Sequence, residues 1–107
     1  MSSVMRTTIL LSAGDCWPLE LACTLASGDD AVTVVLLDRA ADLARPAHPS
    51  GARVTAAVEA QVQVQVDIAA LRRRGIHPTA VAAGVKPTDL AAVGDLLVDG
   101  TDKVVWL

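Results

Sequence analysis

Two apolar runs organise the first third of this chain. Arg6 to Ala13 (RTTILLSA) is short, apolar and closed by Gly14, which predicts a buried strand. Ala31 to Leu37 (AVTVVLL) is continuous and β-branched, as a strand covered on both faces should be. A helix is predicted between them. Asp15 or Cys16 can cap it, Pro18 fits its first turn because it has no N–H to leave unsatisfied, and Glu20 complements the dipole. Leu21, Ala22, Leu25 and Ala26 supply a sheet-facing stripe, and Ser27-Gly28-Asp29-Asp30 ends the helix.

Asp38-Arg39 then leads into a short helical piece through Ala44, followed by a loop over Arg45 to Gly51, where two prolines and a glycine exclude regular structure. Val54, Val58, Val62 and Val66 recur every four residues, which predicts a helix over residues 53 to 74. The strict alternation of QVQVQV within it also fits a strand, so residues 58 to 68 stay open between the two. Arg72-Arg73-Arg74, Gly75 and Pro78 are the signals of a helix C-terminus. Thr79 to Ala83 reads as a third buried strand and Gly84 to Thr88 as a turn. Thr88 or Asp89 caps a helix through Leu97 or Val98, and Lys103 to Leu107 forms a last strand. Strands alternating with helices predict a three-layer α/β sandwich, with a mainly parallel sheet of four or five strands. Residues 1–107 read as one domain.

Composition narrows the partners. The formal charge is −3, and Trp17 and Trp106 are the only aromatic residues, so neither a phosphate-tracking surface nor base-stacking platforms are expected. Nucleic acid is therefore excluded as a partner. No apolar run reaches the ~20 residues of a membrane span, and no targeting signal is recognised, which makes a cytoplasmic protein the expectation. Cys16 and Cys23 would lie about 10 Å apart along a helix, too far for a disulfide. An Ala/Val-rich domain ending in an apolar strand invites homo-oligomerisation.

Ligands in such folds bind beyond the carboxyl ends of the strands. The candidate groups there are Ser12, Gly14, Asp15 and Cys16 after the first strand, Asp38 and Arg39 after the second, and Gly84 and Lys86 after the third. Cys16 is the candidate nucleophile for persulfide or redox chemistry, because a thiol at a helix start faces unpaired N–H groups and the positive end of the dipole. The competing reading makes it a small core residue under Trp17. SAGD lacks the spacing of a phosphate loop, and Asp38 lacks the acidic pocket of a response regulator. His48 and His77 have no second ligand at metal-binding spacing, so neither a metal nor a cofactor is expected. Arg72 to Arg74 are accounted for by the helix terminus, and Trp106 by core or oligomer contact.

RTTILLSAG, VTVVLLDRAADLA and DLAAVGDLLVDGTDKVVWL resemble the first strand, the second strand with its small helix, and the closing helix and strand of the DsrE/DsrF/DsrH-like sulfur-relay superfamily, which includes the Tus sulfur-transfer proteins. GIHPTAVAAGV falls where that family has a glycine-led third strand. The resemblance implies a persulfide cysteine just after the third strand, yet Ala82-Ala83-Gly84-Val85-Lys86 contains none. It therefore points to a non-catalytic binding or assembly member, with copies of itself or a sulfur-relay protein as partners. The alternative is a persulfide carrier that uses Cys16. Whether the chain is an enzyme is left open by the sequence.

Overall fold

A computed structural model describes residues 4–107. Its centre is a five-stranded, all-parallel sheet built from β1 (Arg6–Leu11), β2 (Ala31–Leu36), β3 (Gln63–Asp67), β4 (Val85–Thr88) and β5 (Lys103–Trp106), in the spatial order β4-β3-β2-β1-β5. The helices are α1 (Trp17–Ser27), α2 (Gly51–Glu59), α3 (Ile68–Arg73) and α4 (Leu90–Asp99), with a 3-10 segment over Asp38–Ala44. Three successive crossovers in one direction carry α1, α2 and α3 onto one face. The return from β4 to the far edge carries α4 across the other.

The burial pattern follows this division. Ile9, Leu11, Val34, Leu36, Val64 and Val66 form one continuous core with Leu19 and Ala22 of α1, Val54 and Ala57 of α2, and Ala70 and Leu71 of α3. Behind the sheet, Leu10 and Val35 pack with Val93 of α4. The expected three-layer plan is present, but α4 alone makes up the third layer, and it leaves Val104 and Trp106 exposed on its face of β5.

Two predicted elements are corrected. Residues 53 to 74 are not one helix, because α2 ends at Glu59 and Gln61 turns the chain at φ +69°. Val64 and Val66 then face the core from a strand, with Val62 buried just before it, while Gln63 and Gln65 take the other side of the pleat. The fourfold valine spacing joined a helix to a strand whose apolar faces meet the same core. Thr79 to Ala83 is not a strand, and the paired residues are Val85–Thr88, within the stretch expected to turn. Pro87 is tolerated there because β4 lies at the sheet edge, where one side of the backbone needs no partner.

The helix termini follow the expected chemistry with one exception. Asp89 caps α4 by accepting from the Ala92 N–H at 2.8 Å. The end of α3 is a Schellman motif, with Gly75 N–H donating to Arg72 O, Ile76 N–H donating to Leu71 O, and Gly75 at φ +70°. At α1, neither Asp15 nor Cys16 provides a cap: Cys16 occupies the N-cap position but makes no side-chain cap hydrogen bond.

The far edge is tied to the centre by Arg6. Its guanidinium donates to both carboxylate oxygens of Asp102, and its backbone N–H donates to Asp102 Oδ2 at 2.8 Å. The hydrogen bond from the Arg6 side chain, then that from its backbone, hold the Asp102 carboxyl below its ordinary range. A carboxyl depressed in the folded state adds stability above its unfolded value of about 3.9 and loses it as pH falls through the folded value. Stability curves of the native chain and Asp102→Asn should therefore separate above about pH 5 and converge in strong acid. Parallel curves across that window would remove Asp102 from the account.

Candidate functional site

An open cleft of about 790 Å³ lies at the carboxyl edge of the sheet, where β1 and β2 end. Ser12 and Ala13 border it after β1. Asp38, Arg39, Asp42 and Arg45 enter from the segment after β2, and Arg73 and Arg74 from the end of α3. The sheet sets this meeting point. β2 stops at Leu36, and Asp38 takes the left-handed conformation at φ +46°, which aspartate tolerates better than most residues. The short α3 returns its C-terminus beside that turn.

The Arg74 guanidinium is the hub. It donates to Asp42 Oδ2 at 2.8 Å and, through Nε, to the Asp38 carbonyl at 3.1 Å. Arg45 donates to Asp42 Oδ1 at 3.3 Å and to the Arg74 carbonyl at 3.1 Å. Arg73 reaches Asp38 at 3.4 Å, and Arg39 makes no ion pair among the described residues. The arrangement can hold a negatively charged group by charge-assisted hydrogen bonds. Among the described residues, no group of three or more His, Cys, Asp and Glu side chains converges to hold a metal ion.

Of the residues singled out in the sequence, Ser12, Asp38 and Arg39 come together in this cleft. Gly14 and Asp15 lie exposed in the loop after β1 and do not line it. Cys16 follows them, half-buried and packed against the main core. Gly84 and Lys86 belong elsewhere. Gly84 precedes β4 at the opposite edge of the sheet, beside Val58 and Glu59 at the end of α2, and Lys86 is an exposed residue within β4. Their displacement follows directly from the corrected strand: what was read as the loop after a strand is the loop before one. His48 Nδ1 accepts from the Ser50 N–H, and His77 Nδ1 bonds with Thr79, so both rings serve local turns.

Sequence reasoning missed Asp42, Arg45, Arg73 and Arg74. The arginine run was assigned to helix-end electrostatics, and the signal overlooked was Asp42, one turn beyond Asp38. It also missed Asp67. That residue ends β3, is 4% exposed, and caps α3 by accepting from the Ala69 N–H at 3.4 Å. β3 is the third strand in chain order, so the third strand ends at Asp67 and not within residues 79 to 83.

No family model matches the chain, and no curated protein matches it in sequence. Solved structures match it in fold. The ychN protein from E. coli superposes with a TM-score of 0.83 at 15% identity, covering 98% of this chain and 100% of its own. MTH1491 from Methanobacterium thermoautotrophicum, a protein of unknown function, gives 0.79 at 13% identity, with 96% and 99% covered. The likeness establishes the fold. It covers nearly the whole chain, so the five-stranded parallel sheet with its flanking helices belongs to a known α/β architecture and not to a new one.

Proposed function

We propose that this chain is a cytoplasmic, non-catalytic binding or assembly member of a DsrE-like, sulfur-relay-type family, formed of one domain. The full-length structural likeness and the resemblance of the first, second and last strands support the family. The observation that carries the non-catalytic reading is Asp67. At the end of the third strand, where a thiol would carry the persulfide, stands a buried carboxylate engaged in capping α3. A carboxylate has no sulfur to form a persulfide and cannot replace a thiolate in that chemistry.

Cys16 supports the alternative only by its position at the start of α1. Its side chain caps nothing, packs on the core, and does not line the cleft. The candidate binding groups of this reading are Ser12, Asp38 and Arg39, with the arginines that join them.

Assembly is expected to use the α4 face. Trp106 is 69% and Val104 47% exposed there, and β5 is an edge strand with no proline to block pairing. Sedimentation equilibrium at micromolar concentration should give a multiple of the 11.1 kDa chain mass, and Trp106→Glu should shift it toward the single-chain value with the secondary structure retained. A monomeric native chain, or a variant that sediments like it, would overturn the assembly role. A sulfur-relay protein is the second expected partner, to be sought by the same measurement on mixtures.

A further inference from the structure

Four of the nine lysine and arginine side chains converge on the carboxyl-edge cleft of a chain whose formal charge is −3. Against them stand two aspartates, so the cleft carries four minus two, a local charge of +2. The pairing within it is uneven. Asp42 serves both Arg74 and Arg45, and each of these also donates to a backbone carbonyl. These two arginines are therefore held in place as a frame. Arg73 meets Asp38 only at 3.4 Å, with both side chains largely exposed, a pair that contributes little. Arg39 has no carboxylate partner among the described residues.

We propose that this cleft binds a small molecule bearing a doubly charged tetrahedral oxyanion, with Arg39 and Arg73 as its direct ligands. Arg45, Arg74 and Asp42 act as positioning residues. The planar guanidinium fork matches two oxygens of such a group, and two forks supply the charge that balances it. The cleft volume of about 790 Å³ lies within the ~300–1,000 Å³ range of small-molecule sites and leaves room for more than the anion itself. Recognition is by side chains and not by a glycine-rich backbone cradle, which is why no phosphate-loop spacing announces it. The proposal rests on the binding role given above and names the chemistry that role would take.

The test follows backbone amide shifts of the ¹⁵N-labelled full chain during titration. Inorganic phosphate, sulfate and thiosulfate are added in separate arms, with sodium chloride at matched ionic strength as control. Saturable shifts of Ala13, Asp38, Arg39 and Arg73 with at least one dianion are expected, and the arm that saturates lowest identifies the preferred oxyanion. Arg39→Gln and Arg73→Gln should each weaken that binding about tenfold, whereas Lys103→Gln, which removes the same charge on β5, should leave it unchanged. Shifts equal to those in chloride, or variants that bind like the native chain, overturn the proposal. Failure here with assembly intact refutes the oxyanion site alone, because sedimentation reads the α4 face independently.

Discussion

Replacing Gly84 by alanine should destabilise the fold by about 3 kcal/mol, a large fraction of the ~5–15 kcal/mol that holds a domain together. Two costs combine. Gly84 has φ +85°, where a side chain strains the backbone by about 1–2 kcal/mol. An added Cβ would also lie 2.5 Å from Val58 Cγ1 and 3.1 Å from Cγ2, an overpacking cost of roughly 1–3 kcal/mol. Val58 cannot easily turn aside, because a β-branched residue in a helix has essentially one χ1 rotamer. Urea denaturation of Gly84→Ala, Val58→Ala and the double variant separates the terms. The double variant should recover the packing part, giving a coupling of about 1 kcal/mol or more. Gly75 supplies the contrast, since its positive φ is similar but no atom lies within 4 Å, so Gly75→Ala should cost about 1 kcal/mol. Equal losses at the two glycines would contradict the close approach of α2 to the loop before β4.

Leu71→Ala should cost about 3 kcal/mol, within the ~2–5 kcal/mol observed for emptied core leucines. The side chain is fully buried, and α3 has only six residues, too few to be helical without docking. Ala70 and Leu71 are its buried anchors, and Leu71 O accepts the Ile76 N–H that closes the helix end. Loss of this anchor should also loosen Arg73 and Arg74, two and three residues further along the chain. Hydrogen exchange should show faster opening at 68–76 than in β1 and β2. The exposed neighbour Arg72→Ala should stay within about 0.5 kcal/mol of the native chain. A Leu71→Ala loss below about 1 kcal/mol would mean that α3 is not docked as described.

The legible parts of this fold were those where local signals agreed with one another. β1, β2 and β5, the start of α1 at Pro18, and the Asp89 cap of α4 each had pattern and terminus chemistry pointing the same way. The segment around β3 was not legible because two periods coincide. Val54 and Val58 on a helix, Val62 just before a strand and Val66 within it fall at the same fourfold spacing, and only the left-handed turn at Gln61 separates the two pairs. A positive φ at glutamine leaves no compositional mark. That single ambiguity shifts only the stretch between α2 and α4: TAVAA reads as a strand, Gly84 and Lys86 fall at the wrong edge, and the end of the third strand lies at Asp67 rather than Ala83.

The cleft was half legible for a related reason. Ser12, Asp38 and Arg39 follow strands that are plain in the sequence, so their edge could be inferred. Arg73 and Arg74 depend on a six-residue helix folding back after β3, and no local pattern encodes that return. Net charge was misleading in the same way. A chain of −3 overall can still gather arginines where sheet topology brings two segments together.

The central proposal is that this chain carries no persulfide sulfur: a buried carboxylate, Asp67, ends the third strand, and no thiol elsewhere takes over that chemistry. Intact-mass spectrometry after incubation with a persulfide donor reads this directly, on the native chain, Cys16→Ser and Cys23→Ser. The account predicts no stable gain of one sulfur atom by the folded native chain. A native chain that gains one sulfur, with the gain abolished by Cys16→Ser and kept by Cys23→Ser, would contradict it and make Cys16 the carrier.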